Sequence, residues 1–154
     1  MVKSNFHLVE FFPKCSTKEI FDVLLDKQLS RNLVRLYTVV SQLRYLFGQP
    51  LIITSGYRNE TLNLFVHGSK NSQHLTCEAV DLYPKDFTLC EDLFFFLRKP
   101  EFSNRFGQVI YYPQYHFIHL ALPCAKYSSI TFFENVNNVL SSFNFEAYGK
   151  QIKN

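Results

Sequence analysis

The chain has 154 residues, of which 47% are hydrophobic and 17% aromatic, and its formal net charge is +3. This length is sufficient for one domain with a substantial core, and the apolar content excludes a disordered chain. No apolar run approaches the roughly 20 residues of a membrane-spanning helix, and no Lys/Arg block indicates a nucleic-acid footprint. We therefore expect a single, monomeric domain over residues 1–154 with neither a membrane span nor a nucleic-acid partner.

The cysteines and the N-terminus indicate the compartment of synthesis. No Cys-x-x-Cys pair is present, so the thiols are expected to be reduced and mostly buried. They are Cys15, Cys77, Cys90 and Cys124. Because the N-terminus also lacks the long apolar stretch of a secretory signal, we expect synthesis in a cytoplasm without a signal peptide.

The first 50 residues predict a short strand followed by two helices. The strand is expected within residues 6–12. Ser16 and Glu19 form a capping box that opens the first helix, and a second helix is predicted to begin after Ser30 and to end at Gly48. The side chains expected to face the core are Ile20, Val23 and Leu24 in the first helix and Leu33, Leu36, Val40, Leu43 and Phe47 in the second.

The middle of the chain alternates short strands with one brief helix. An apolar strand is predicted over 51–54, and Asn59 is expected to cap a helix through residue 66 with Leu62 and Phe65 turned inward. A polar loop follows, and residues 79–82 predict a strand with Asp81 opposite its apolar neighbours.

The remaining residues complete an α+β pattern. A capping box over 88–91 predicts a helix that ends near Pro100. Residues 109–112 and 117–122 predict an antiparallel strand pair, and a weakly helical segment is expected over 136–140. The fold class expected from this order is α+β, with helices packed on a mainly antiparallel sheet.

His74, Asp81 and His119 form the most informative set of residues. Two imidazoles and one carboxylate suit a catalytic zinc ion, and three protein ligands leave the fourth tetrahedral position open to water. Asp81 lies on a predicted buried strand, where an unpaired carboxylate is costly and needs a partner. That partner is either zinc or, alternatively, a salt bridge to Arg58.

A second fragment, Ser55-Gly56-Tyr57-Arg58, predicts a strand end running into a glycine turn that presents a cation. This fragment, together with Gly68-Ser69, residues 72–81 and His119, resembles part of the pattern of a known family. That family is the zinc peptidases of bacterial cell walls. That family contains D-alanyl-D-alanine carboxypeptidases and phage L-alanyl-D-glutamate endopeptidases, and it shares the Hedgehog fold. The similarity is dense over residues 51–82 and 106–122, and residues 1–28 and 125–154 lie outside it.

The resemblance implies a role for each matching residue. His74, Asp81 and His119 would hold Zn²⁺, Arg58 would stabilise the developing oxyanion, and Ser72 would bind substrate. The implied activity is a metallopeptidase that hydrolyses a peptide bond of the peptidoglycan stem peptide. The implied setting is a phage lysis enzyme, made in the host cytoplasm and acting on the cell wall.

The chain departs from the family pattern at three positions. Many members carry Glu or Asp three residues before the final histidine, where this chain has His116. We assign His116 as the provisional general base, with a fourth metal ligand as the alternative. Some relatives place an acid where this chain has Tyr112. A glycine is usual where this chain has Cys77, which we interpret as a small core side chain rather than a thiolate ligand.

Two other functions follow from these departures. A non-catalytic, zinc-containing module that binds the cell wall, or serves a structural role, would retain the metal ligands and lack the acid/base group. A hydrolase that uses Cys77 with a histidine is the weaker alternative, because the sequence shows no separate partner to orient that histidine.

Overall fold

The computed structural model describes residues 6–151, and its central feature is a six-stranded sheet. The strands are β1 (Leu51–Ser55), β2 (Ala79–Pro84), β3 (Gln108–Tyr112), β4 (Phe117–Ala121), β5 (Thr131–Val136) and β6 (Val139–Ser142). Their spatial order is β1-β2-β4-β3-β5-β6. Neighbouring strands are antiparallel except β3 and β5, which run parallel.

Helices occupy the connections between these strands. The α-helices of the described residues are α1 (Thr17–Leu25), α2 (Lys27–Phe47), α3 (Glu60–Phe65), α4 (Cys90–Phe96) and α5 (Phe145–Gln151). Short 3-10 turns cover Leu8–Phe11, Gln73–Thr76, Phe87–Leu89 and Pro100–Phe102. Helices beside a mainly antiparallel sheet confirm the predicted α+β class.

The first helix begins at the predicted capping box. The backbone N–H of Glu19 donates to Ser16 Oγ over 3.3 Å, and the Glu19 carboxylate accepts from the backbone N–H of Ser16 at 2.7 Å. Of the predicted apolar face, Val23 is buried, whereas Ile20 is half-buried and Leu24 is exposed. The local signal therefore fixes where α1 begins, and only part of its apolar face enters the core.

The second helix begins earlier than expected. Asp26 Oδ1 accepts hydrogen bonds from the backbone N–H groups of residues 28 and 29, both at 2.8 Å, so α2 starts at Lys27 rather than after Ser30. Gly48 ends the helix with a φ of 75°, as predicted. Four of the five predicted core side chains are buried and Phe47 is half-buried.

Strands β2 and β4 each present an apolar side and a polar side. Val80 and Leu82 in β2 and Ile118 and Leu120 in β4 are fully buried in the hydrophobic core. Alternate residues of a strand point to opposite faces. Asp81 in β2 and its β4 counterpart therefore point away from that core, on the face where the candidate site lies.

The N-terminal strand prediction is wrong, because residues 8–11 form a 3-10 turn. The Glu10 carboxylate accepts from the backbone N–H of His7 at 2.6 Å, which closes the turn. The Phe11 carbonyl accepts from the backbone N–H of Tyr57 at 2.9 Å. A side chain at Gly56 would collide with that same carbonyl. The turn is therefore in close contact with Gly56, which lies two residues before Arg58.

The short helix α3 is capped as predicted but is rotated relative to the expectation. Asn59 Oδ1 accepts from the backbone N–H of Leu62 at 2.7 Å. Phe65, predicted to face the core, is 81% exposed, whereas Asn63 is buried and donates to the Ser69 carbonyl at 2.9 Å. A polar contact to the following loop therefore sets which face of α3 points inward.

The predicted capping box over 88–91 is also wrong. Asp86 accepts hydrogen bonds from the backbone N–H of Thr88 at 3.1 Å and from its hydroxyl at 2.6 Å. A 3-10 turn therefore precedes α4, whose first residue is Cys90, and the helix ends at Phe96 before the predicted stop near Pro100.

The predicted helical segment over 136–140 is instead the turn of a β-hairpin. Asn137 and Asn138 both have positive φ, 53° and 63°, and connect β5 to β6. Positive φ at both central residues is typical of two-residue hairpin turns, and Asn tolerates it. Within the described residues, no helix is long and apolar enough to cross a membrane.

Candidate metal centre

Strand register brings Asp81 and His119 together. Asp81 in β2 lies directly opposite His119 in β4, and opposed residues of an antiparallel pair point to the same face. The His119 Nδ1 to Asp81 Oδ1 distance is 2.8 Å. Residues 38 positions apart in the chain thus form one contact because the two strands are hydrogen-bonded neighbours.

His74 approaches the same carboxylate oxygen from a 3-10 turn. Its Nε2 lies 3.3 Å from Asp81 Oδ1, and its ring centroid lies 5.1 Å from that of His119. The turn is closed by Ser72, whose Oγ accepts from the backbone N–H of His74 at 3.4 Å. His74 is only 2% exposed, so its ring has little freedom to leave this position.

A backbone carbonyl fixes the tautomer of His74. The ring Nδ1 lies 2.7 Å from the Gly56 carbonyl oxygen. Because a carbonyl only accepts hydrogen bonds, Nδ1 carries the proton and donates it. Nε2 then faces the Asp81 carboxylate, and either a proton on Nε2 or a metal cation must lie between these two atoms. This is the usual orientation of a metal-binding histidine.

Arg58 binds the other oxygen of Asp81. Its Nη2 donates to Asp81 Oδ2 at 2.9 Å, and its Nε donates to Ser55 Oγ at 2.9 Å. Both members of the pair are largely buried, with side-chain exposures of 15% and 14%. The two partners considered for Asp81 are therefore compatible, since Arg58 uses Oδ2 and leaves Oδ1 to the histidine side.

The surroundings keep Asp81 ionised. Burial alone would raise the pKa of its carboxyl. The hydrogen bonds with His119 and His74, and their positive charge, outweigh burial and hold that pKa below its ordinary value. A fixed anion next to two imidazole nitrogens is a suitable ligand set for a divalent cation.

The donor atoms fit zinc in kind and in spacing. Among the described residues, His74, Asp81 and His119 form the one group of three or more such side chains whose ligand atoms lie within 4.8 Å of each other. Donors around tetrahedral zinc are about 3.3 Å apart, given bond lengths of about 2.0–2.1 Å. The His74–Asp81 separation has this value, and the His119–Asp81 pair is somewhat closer.

These residues line a cavity of about 260 Å³. Arg58, Ser72, His74, Asp81 and His119, the residues singled out from the sequence, all contribute to its wall. Further lining residues that the sequence analysis did not assign to the site are Gly68, Ser69, Ile110 and Phe117. Ser69 carried a signal, since it belongs to the Gly-Ser pair of the resemblance. The two apolar residues become recognisable only once β3 and β4 are paired.

His116 does not line this cavity. It is exposed and is the last residue of the turn between β3 and β4, with a φ of 52°. Its ring centroid lies 5.4 Å from that of Phe87. With Tyr83, Phe87 and Tyr115 it lines a separate cavity of about 270 Å³. The structure therefore groups His116 with aromatic side chains and apart from the other predicted site residues.

Tyr112, unlike His116, lines the metal cavity. Its ring stacks on Phe117 with centroids 4.2 Å apart. Burial raises the pKa of the Tyr112 phenol, the charge of Asp81 raises it further, and Arg58 lowers it. Tyr112 thus presents a neutral hydroxyl at neutral pH.

Cys77 is buried in the hydrophobic core, in agreement with its interpretation as a small core side chain. Burial raises the pKa of its thiol to about 12. A thiol that remains protonated at neutral pH is a poor nucleophile and a poor metal ligand. These properties argue against the hydrolase that would use Cys77 with a histidine.

Comparison with known protein families gives one match. The family model described as Peptidase M15 matches residues 5–121. No curated protein matches the chain. The matched range includes the five residues gathered at the metal cavity, and it ends at the last residue of β4. It includes residues 5–28, and it leaves residues 125–154 unmatched.

Proposed function

The chain belongs to the Peptidase M15 family of zinc-dependent peptidases, and from this premise we propose that it hydrolyses a peptide bond in the peptidoglycan stem peptide. The observation that carries the proposal is the convergence of two imidazole nitrogens on one oxygen of a buried carboxylate. A phage lysis enzyme made in a host cytoplasm and acting on the cell wall is the setting that we propose.

In this proposal His74, Asp81 and His119 hold the zinc ion. When bound, zinc supplies a Lewis acid that polarises a carbonyl and makes water acidic enough to attack near neutral pH. The Gly56 carbonyl keeps His74 in the tautomer that leaves Nε2 free. Arg58 keeps Asp81 oriented by holding its second oxygen.

Arg58 has a further task in the cavity. Its Nε and one N–H of Nη2 are used by Ser55 and Asp81, and a guanidinium has five N–H donors. The remaining donors are available to a substrate carbonyl oxygen that gains negative charge in the transition state. Because Arg58 is already held in place, little reorganisation is needed at that moment. Ser72, on the same wall, is positioned to hydrogen-bond the substrate backbone.

Two further side chains, His116 and Tyr112, bear on proton transfer and substrate binding. His116 as general base stays a prediction, and its function would require the turn between β3 and β4 to bring the ring to the metal cavity. Tyr112 already lines that cavity and has a hydroxyl to donate. We therefore propose Tyr112 as a hydrogen-bond donor to the substrate.

One observation favours a second candidate function. Within the part of the chain that the structure describes, Asp81 is the only carboxylate that lines the metal cavity, and its two oxygens are occupied by Arg58 and the histidines. A zinc-containing module that binds the cell wall without cleaving it would have this composition.

The experiment that separates the two functions combines metal analysis with digestion of cell walls. Purified protein is assayed for zinc content, and the peptides released from peptidoglycan are identified by mass spectrometry. The peptidase should contain about one zinc per chain and release a defined stem fragment, and His119→Ala should lose both. Zinc binding and sedimentation with cell walls without any released fragment would establish the binding module.

A further inference from the structure

A second cavity adjoins the metal cavity on the side of His119. Its volume is about 630 Å³. The two cavities share three lining residues, Ser69, Ser72 and His119. A peptide held at the metal centre therefore has space to continue into this second cavity, which we call the distal groove.

One wall of the distal groove comes from residues outside the family match. Cys124, Lys126, Tyr127 and Leu140 contribute to its lining, whereas the match ends at residue 121. The opposite wall consists of the loop before the 3-10 turn of His74. This C-terminal wall is therefore a feature of this chain that membership of the family does not assign.

Hydrogen bonds and close packing position the C-terminal wall next to the metal centre. Gln73, the residue before His74, donates from Nε2 to the Leu122 carbonyl at 2.9 Å. The backbone N–H of Cys124 donates to the Tyr127 carbonyl at 3.0 Å. A side chain at Gly107, the residue before β3, would collide with that same carbonyl, so this residue and the loop pack closely. A wall held in this way binds a ligand with little loss of conformational freedom.

The lining of the distal groove combines polar and apolar side chains, and it includes the exposed cation of Lys126. Half of the lining residues have hydroxyl or amide side chains, namely Ser69, Asn71, Ser72, Gln73 and Gln108. In the described part of the chain no Asp or Glu lines the groove, and no carboxylate forms a salt bridge with Lys126. Its Nζ lies 5.1 Å from the centroid of the Tyr127 ring. The ammonium is therefore available to an anion.

We propose that the distal groove binds the part of the substrate peptide that extends from the cleavage site, and that Lys126 binds a carboxylate of that peptide. Hydroxyl and amide groups match the N–H and C=O groups of a peptide backbone, and an unpaired ammonium next to them selects for a carboxylate. That the ligand is a stem peptide rests on the proposed peptidase function. That the ligand carries a carboxylate is inferred from Lys126 alone.

The test uses zinc-loaded protein and a series of synthetic stem peptides in which each carboxylate is replaced in turn by a carboxamide. Lys126→Met removes the charge while keeping an aliphatic side chain. We expect KM for the fully carboxylated peptide to rise by about twofold to fivefold, with kcat unchanged. The peptide that lacks the recognised carboxylate should show no such change.

Two further variants separate recognition from general charge effects. Lys126→Arg should restore the preference for the carboxylate, because it restores the cation. Lys85→Met removes an exposed lysine that does not line the groove and should leave every KM unchanged. Equal effects of Lys126→Met on all peptides, or no effect on any of them, would overturn the proposal while leaving the peptidase function standing.

If the protein does not cleave these peptides, their binding still tests the role of Lys126. Their dissociation constants are then measured by calorimetry for the parent and for Lys126→Met. A selective loss of affinity for one carboxylate would support the role of Lys126 and refute the peptidase function. Absence of both cleavage and binding would overturn the two proposals together.

Discussion

The metal centre and the C-terminal segment over residues 131–148 are held by different kinds of contact. In the metal centre, strand register, the Gly56 carbonyl and the buried pair of Arg58 with Asp81 fix each functional side chain. In the C-terminal segment, rings pack on Phe94 of α4, which contacts Tyr111, Phe132, Phe143 and Phe145 with centroids 5.0–5.6 Å apart.

This difference shows why the two regions should respond differently to mutation. Directional polar contacts at the metal centre set positions to within a fraction of an ångström, which catalysis requires. Aromatic packing tolerates more variation in position and chiefly contributes stability. Variants that affect one region and spare the other therefore test the comparison.

The largest effect is expected for Asp81→Asn. The change keeps the size of the side chain but removes the anionic ligand and leaves Arg58 without its partner. We expect loss of bound zinc and of turnover, and a fall of about 3–5 kcal/mol in the free energy of unfolding, as for other broken buried pairs. Zinc content and denaturant unfolding measure the two effects.

The matched control is Asp22→Asn, which breaks an exposed salt bridge with Lys18 in α1. It should leave zinc content and the unfolding midpoint unchanged, because exposed pairs contribute little. If both variants unfold alike and both retain zinc, Asp81 has no special role.

Phe94→Ala should destabilise the C-terminal segment and leave the metal centre intact. Removing a fully buried ring typically costs about 3–5 kcal/mol, and we expect the C-terminal segment to lose protection from hydrogen exchange. Zinc binding should persist at temperatures where the variant is folded. Phe65→Ala, at a side chain that is 81% exposed, serves as the control. Zinc loss in folded Phe94→Ala would mean that the two regions are coupled.

Arg58→Lys should lower kcat by about 10²–10³-fold, the usual result of losing one donor to a developing oxyanion. Lysine keeps the charge but cannot hold Ser55, Asp81 and substrate together in one plane. Zinc content, measured alongside kcat, should stay at the parent level. Unchanged kcat with zinc present would make Arg58 a purely structural partner of Asp81.

The smallest effect is expected for His116→Ala, because the ring is exposed and lines a separate cavity. We expect zinc content and turnover close to those of the parent. A loss of about 10²–10⁴-fold with zinc retained, typical of a missing general base, would instead support the sequence-based assignment. A rise in turnover in His116→Glu would point the same way.

Much of the fold was predictable where the signal lies within a few residues. The capping box of Ser16, the stop at Gly48 and the strand pair around Pro113 follow from local hydrogen bonding or from alternation, and the structure has all three. The prediction failed where local signals competed. The consecutive Asn137 and Asn138 favour a hairpin turn, but the apolar spacing around them resembles a helix.

The candidate site shows the same limit of prediction from local sequence. The ligand types of His74, Asp81 and His119 are evident from the sequence, because zinc prefers those donors. Which of the two histidines, His116 before β4 or His119 within it, joins the site is not evident from the sequence. His116 and His119 are three residues apart, and pairing of β4 with β2 places only His119 opposite Asp81.

The sequence by itself therefore determined the fold class, the family and the set of residues able to bind a metal, since these depend on residue type and on spacing along the chain. The tertiary structure decided the tautomer of His74, the division of the Asp81 oxygens between Arg58 and the histidines, and the position of Lys126 beside the groove. Each of these depends on atoms that lie far apart in the sequence and meet only after the strands and loops have packed.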